Sequence, residues 1–352
     1  MILTIIIAFF TLVALIIIHE FGHFILAKKL GVKVEEFGLG YPPRIFGKKI
    51  GETIYSLNAL PFGGFVRIYG QEEKIDHPKS FSNKVFWKKS LIILGGVISF
   101  WIVSALILIF IMLIGVPSAI GDQETENIID PKIQIMGVAK NSPAEQAGLK
   151  VGDILRDFDK ASEVMEFSYF WAGKEVALEV QRGKEVFDVF LTPRVSCPDQ
   201  EGPMGLSLSR TALRRYPLHI AVVKGISSVG SLTWLIIKSW IMVFGSIFSG
   251  KGLPSGVEVG GPIKIFELFI QIGGLGATYF LQFIAVIAVH LALINILPIP
   301  ALDGGWFMFM VIEKLRGRPL NQKVVQKISA VFFFLLLALM VWITIRDIIH
   351  LV

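Results

Sequence analysis

The sequence predicts a polytopic α-helical membrane protein with about four transmembrane helices and one small soluble domain inserted between the second and third. Three observations carry this. Of 352 residues, 53% are apolar and only 18% charged, whereas soluble domains run about 45–50% apolar and about 25% charged. Much of the apolar excess is gathered into runs of the roughly 20 residues that a bilayer crossing needs. The net charge of +6 is concentrated in loops between those runs, as expected of basic segments that set membrane orientation.

The first run extends from Met1 to about Ala27. It lacks the basic leading region and small-residue cleavage site of a signal peptide and is too long for one, so a retained span is expected. The second covers about Leu91–Val116, the third about Ala277–Leu297 and the fourth about Ile328–Ile349. Twelve Lys and Arg residues fall between Lys28 and Lys89, and Lys314, Arg316, Arg318, Lys323 and Lys327 fall between the last two runs. The positive-inside rule makes both loops cytoplasmic. Both termini, and everything between the second and third spans, are then extracytoplasmic. A fifth apolar stretch, Leu218–Phe248, is interrupted by Lys224 and Lys238. One crossing there would reverse the third span, so an amphipathic helix or helix pair on the outer surface is expected.

Residues 122–210 change character, with mixed charge, Gly and Pro, and alternating stretches such as Val176–Val180 and Val186–Leu191 that read as short strands. The expected division is 1–116 (two spans and the loop between them), 122–210 (an extracytoplasmic domain), 211–276 (a membrane-surface region) and 277–352 (two spans). The single cysteine, Cys197, excludes an internal disulfide framework and any multi-cysteine metal site. The basic balance is spent on orientation, so nucleic acid is not expected as a partner, whereas the lipid bilayer is.

In a chain this poor in charge, ionisable groups at membrane depth stand out, because each costs roughly 2.5–3.5 kcal/mol on insertion scales. His19-Glu20-Phe21-Gly22-His23 lies in the first span. On a helix, His19 and His23 share one face, one turn apart. That spacing can hold Zn²⁺, with Glu20 as the general base that activates water. The competing reading is three polar residues pairing with one another near a membrane boundary. Catalytic zinc takes three protein ligands, so a third must come from another span. Asn295-Ile296-Leu297-Pro298-Ile299-Pro300-Ala301-Leu302-Asp303-Gly304-Gly305 offers Asp303. Pro298 and Pro300 break the third helix, and irregular backbone at that depth must be buried in protein or line a wet cavity. Asp303 could instead be a solvated carboxylate in an ordinary Pro/Gly turn.

Together these two motifs resemble the site-two protease family of intramembrane zinc metalloproteases, and more narrowly the bacterial regulator-of-sigma-E protease group. Supporting resemblances are Leu60–Arg67, similar to the family's membrane-associated β-loop on the cytoplasmic side, Phe37-Gly38-Leu39-Gly40, similar to the Gly-rich turn before it, and Gly261-Pro262-Ile263 before the third span. The resemblance implies His19, His23 and Asp303 as Zn²⁺ ligands and Glu20 as the catalytic base. It implies Asn295, Pro298, Gly63 and Gly64 near the substrate. It also implies cleavage within or near transmembrane segments of single-span proteins or remnant signal peptides, in the bacterial cytoplasmic (inner) membrane. Capture of the substrate as an added strand on the 53–67 hairpin is expected. Two departures stand out. Relatives usually carry Pro and Asn where Gly95-Gly96-Val97-Ile98-Ser99-Phe100 has Val97 and Phe100, with Ser99 a weak substitute for the Asn, and His290 stands where a small residue is usual.

Gly137–Leu155 resembles the strand, short helix and turn of a bacterial PDZ domain, with Ser142 able to cap a helix that starts at Pro143. Met204, Gly205 and Leu206 resemble the loop and strand that line a PDZ peptide groove, although the domain could equally filter substrates by size. Many sigma-regulating relatives carry two such domains, and only one fits here. A PDZ-bearing, non-proteolytic scaffold with structural zinc is the alternative function, and intact His19, Glu20, His23 and Asp303 argue against it. A zinc transporter would need further His or Asp ligands along several spans, which the sequence lacks.

Overall fold

The computed structural model describes residues 2–123, 128–183, 185–198, 201–250, 252 and 260–351. In chain order the elements are α1 (Ile2–Lys29), β1 (Val34–Ile50), β2 (Thr53–Ile68), α2 (Phe86–Ile114), β3 (Val116–Ala119), β4 (Ile128–Val138), α3 (Pro143–Gln146), β5 (Ile154–Leu155), α4 (Ala161–Phe170), β6 (Val176–Arg182), β7 (Glu185–Leu191), β8 (Leu206–Arg214), α5 (Leu218–Phe248), α6 (Pro262–Leu275), α7 (Ala277–Ile296), α8 (Asp303–Arg316) and α9 (Gln322–Leu351). They form two compact units, one of residues 1–108, 226–271 and 283–352, the other of 109–225 and 272–282.

Among the described residues, α1, α2, α5, α7 and α9 are long and apolar enough to cross a membrane, one more than the sequence suggested. The addition is α5. It is one continuous helix of 31 residues and not a pair, because neither lysine nor the glycines break its backbone. In its second half the Trp240 ring lies 6.5 Å from that of His290 on α7.

The first unit is held together where small residues let helices approach. Gly22 of α1 and Gly95 of α2 abut so closely that a Cβ on Gly95 would come within 2.8 Å of the Gly22 carbonyl oxygen. Ser104 of α2 donates to the Ala285 carbonyl of α7 at 3.1 Å, and Ala285, Ala288 and Ala292 are fully buried. At the far end of α9, Asp347 accepts from the backbone amides of Gly261 (2.8 Å) and Lys264 (3.3 Å), closing the start of α6.

Strands β1 and β2 fold back on themselves. Residues 36–39 pair with both 54–57 and 64–67, and 46–49 pair with 54–57 from the other side. Glu36 is buried at the centre. It accepts from Arg44 Nη2 (2.6 Å) and Ser56 Oγ (2.7 Å), with Arg67 Nη1 at 3.7 Å. These donors outweigh the cost of burial and hold its carboxyl below the usual range.

The second unit is built on a six-stranded sheet, ordered β3-β8-β4-β5-β6-β7 with antiparallel pairs. Ile133, Ile135, Leu155, Val164, Leu178 and Val180 fill its core. Ser142 Oγ accepts the Glu145 amide at 3.2 Å and Pro143 opens the helix, as the sequence anticipated. Asp153, 1% exposed, takes two bonds of 2.7 Å from Arg182, which raises the guanidinium pKa above its usual value.

Candidate metal centre

His19 and His23 sit one turn apart on α1, with Nε2 atoms 3.2 Å from each other. Asp303 Oδ2 lies 3.3 Å from both. Asp303 reaches them because the chain breaks after α7 and restarts as α8. The break is compact: a Cβ on Gly304 would collide with the carbonyls of Ile296 and Leu297, and one on Gly305 with the Ile299 carbonyl. Only glycine fits after the aspartate.

The donor chemistry fits a metal ion. His23 Nδ1 is 2.8 Å from the Ile92 carbonyl oxygen, so it donates there and leaves Nε2 as a lone pair facing the cluster. Asp303 Oδ2 is buried without a hydrogen-bond donor. Two imidazole nitrogens and a carboxylate oxygen, all within 4.8 Å of one another, form a set of acceptors that a shared cation satisfies. Three protein ligands is the number that catalytic zinc uses.

Helix α2 supplies the wall behind the imidazoles. Ile92, Gly96 and Phe100 follow at intervals of four on one face. Ile92 orients His23. A Cβ on Gly96 would strike both imidazoles, so the helix comes this close only through glycine. Phe100, 2% exposed, stacks on His19 with centroids 4.9 Å apart and ring planes at 24°. The stack occupies the position where an Asn is usual. Ser99 does not replace that Asn, because its hydroxyl turns back to the Gly96 carbonyl at 2.6 Å.

Glu20 faces the β1–β2 loop, near the Val66 backbone amide. Gly64 packs beside it: a Cβ there would lie 3.9 Å from Glu20 Cγ and 2.9 Å from the Gly38 carbonyl oxygen. Gly63, at φ +118°, lies against Ile16. Tyr41 is close enough that burial and the Glu20 charge raise its pKa. Asn295 spends its amide on the Leu291 carbonyl at 2.9 Å, one turn back, and Pro298 lies in the break after α7. His290 Nδ1 likewise pairs with the Val286 carbonyl at 3.0 Å, within its own helix. In the second unit, Gly205 holds φ +72° against Ser142, Met204 accepts from the Ala144 amide at 3.1 Å, and Leu206 begins β8.

The sequence reading missed Ile92, took Gly96 only as a close-packing glycine, and saw in Phe100 only the loss of an Asn. The available signal was the four-residue spacing of Ile92, Gly96 and Phe100.

A family model described as peptidase family M50 matches residues 7–339. The chain belongs to this family. M50 peptidases, the site-2 proteases, are zinc-dependent, and this chain is accordingly a zinc metalloprotease of a multi-pass membrane type. It is 33% identical over 341 residues to a Clostridium perfringens protein named "putative zinc metalloprotease", with 96% of each chain covered. A Clostridium acetobutylicum protein of the same name is 31% identical, with 98% of this chain and 97% of the relative covered. The regulator of sigma E protease of Haemophilus influenzae is 26% identical, with 96% of each covered.

Proposed function

We propose that this M50 member is an intramembrane zinc endopeptidase that cleaves within or near the transmembrane segments of single-span proteins, such as anti-sigma-factor-like proteins or remnant signal peptides. The observation that carries the reading is the convergence of His19, His23 and Asp303 beside Glu20 on a helix apolar enough to cross the bilayer. His19 Nε2, His23 Nε2 and Asp303 Oδ2 would hold Zn²⁺. When bound, the ion supplies Lewis-acid polarisation of a carbonyl and a lower pKa for water.

The chain's own groups do the rest. Glu20 takes a proton from the attacking water and returns it to the amine nitrogen as the C–N bond breaks. The Val66 backbone amide stands beside that carboxylate. Asn295, Pro298, Gly63 and Gly64 line the approach for substrate. A helical substrate hides its carbonyls in its own hydrogen bonds, so it must unwind to be cut. Within the 53–67 hairpin expected to capture it, residues 54–57 are paired on both sides and cannot receive it. The 64–67 segment pairs with 36–39 alone among the described residues and runs past Glu20. We therefore assign substrate-strand addition to 64–67.

The basic loops support a cytoplasmic-side active site in a bacterial inner membrane, with the second unit's domain and both termini extracytoplasmic. They equally support the fourfold division 1–116, 122–210, 211–276 and 277–352, of which residues 1, 124–127, 184, 199–200, 251, 253–259 and 352 lie outside the described set. We read 122–210 as a PDZ domain. Residues 206–209 of β8 pair with β4, and no pairing occupies their other side among the described residues. That edge, entered through Met204 and Gly205, favours peptide addition over simple size filtering.

The deciding experiment uses a tagged single-span substrate in detergent. Glu20→Gln should cut about 10²–10⁴-fold more slowly while keeping its zinc. Cleavage equal to wild type would refute the role of Glu20, and unchanged cleavage after verified zinc removal would refute the metal.

A further inference from the structure

A second site lies away from the metal centre, where the end of α8 meets the start of α9. A cavity of about 500 Å³ opens there. Phe309 and Ile312 of α8 and Val324 and Ile328 of α9 form its apolar wall, and Arg316 and Arg318 stand in its lining. Both arginines are solvent-exposed, and neither has a carboxylate within ion-pair distance among the described residues. The nearest acidic residue in sequence, Glu313, is turned to the Leu320 amide at 2.9 Å. The segment 314–327 holds five cations and no carboxylate.

Two unpaired guanidinium groups beside an apolar groove match one class of ligand. Guanidinium pairs take phosphate oxygens in bidentate fashion, and a hydrocarbon chain fills a cleft that water would fill poorly. The groove also stands at the foot of α9, whose apolar side chains from Val331 to Ile349 are largely exposed for lipid contact. We propose that this groove binds an anionic phospholipid, headgroup on Arg316 and Arg318, acyl chain between α8 and α9. The proposal needs α9 to span the bilayer and is independent of the catalytic reading. It has a consequence for the centre. Helix α8 begins at Asp303 and ends at Arg316, so a lipid that ties its far end to α9 steadies the helix that delivers the third ligand.

The test takes the full-length protein from phosphatidylcholine vesicles with or without phosphatidylglycerol, and measures retained lipid by native mass spectrometry and affinity with headgroup-labelled phosphatidylglycerol. Wild type should retain phosphatidylglycerol in preference to phosphatidylcholine. Arg316→Gln/Arg318→Gln should weaken that affinity about tenfold or more at unchanged zinc content. Ile312→Trp should weaken it too by filling the groove with both charges intact. Equal retention of the two lipids by wild type, or undiminished affinity in either variant, would overturn the proposal. Displacement by inorganic phosphate at concentrations matching the lipid would also overturn it, showing a free-anion site. Should the double variant lose its zinc, the wild-type preference and Ile312→Trp decide.

Discussion

Glu36 in the β1–β2 loop and Asp303 at the head of α8 are both carboxylates withdrawn from water, and the protein treats them in opposite ways. Around Glu36 it supplies Arg44, Ser56 and Arg67. Around Asp303 it supplies two imidazole nitrogens and leaves Oδ2 without a donor. Burying a charge is costly unless it is paired. A completed network such as that of Glu36 stabilises the loop. An uncompleted one survives only where something from outside completes it. The difference separates a strut from a site, and each side of it can be broken.

The largest effect is expected at the site. Asp303→Asn keeps the shape and removes the anionic ligand, so purified protein should lose most of its zinc by elemental analysis and with it all measurable cleavage. Retention of stoichiometric zinc would mean that Asp303 is not a ligand. Gly96→Ala comes next. Its methyl would strike His19 and His23, so α2 must retreat or the imidazoles must turn. Zinc affinity should drop about 10–100-fold, the range seen when groups supporting a metal ligand are lost. A competing chelator titration reads this directly.

The strut responds differently. Glu36→Gln should destabilise the β1–β2 loop by about 1–3 kcal/mol and leave the zinc content alone, read by hydrogen exchange of residues 34–68. Acid should act on the same contact. The folded pKa of Glu36 is lowered, so its contribution is fully present above the unfolded value and is lost as pH falls through the folded one. Wild type should therefore lose loop protection in acid below the ordinary glutamate range, and Glu36→Gln should lose that component of the pH dependence. Identical acid profiles would refute the assignment.

The same contrast explains what could be read in advance. His19, Glu20, His23 and Asp303 were legible because polar groups in an apolar run are conspicuous, and helical spacing or a proline break says where they point. The cap at Ser142 and the strands β6 and β7 were legible because they are local. The doubled pairing of β1 with β2 was not, since contacts such as Glu36 with Arg67 depend on long-range register. Helix α5 was legible over Leu218–Phe248 as a helix or helix pair, but not as one unbroken helix: Lys224 lays its Nζ over the Tyr216 ring at 4.2 Å and leaves the helix intact. Ile92 and the stacking face of Phe100 were the hardest to see. Apolar residues in an apolar helix carry no contrast, although this face shapes the centre.

The smallest expected effect lies between the two imidazoles themselves. His23 is oriented in the ordinary way, by the Ile92 carbonyl on Nδ1. His19 Nδ1 is buried against the Gly96 backbone without a well-formed hydrogen bond, and its ring is held from the side by the Phe100 face. Aromatic stacking is worth about 0.5–1.5 kcal/mol beyond area burial, so Phe100→Leu should weaken zinc binding by roughly three- to tenfold. Phe100→Tyr, which preserves the stack, should bind zinc more tightly than Phe100→Leu. The chelator competition that reads Gly96→Ala resolves a change of this size. Wild-type zinc affinity in Phe100→Leu would mean that helix packing alone fixes His19, and that the loss of a polar group at this position has no aromatic replacement.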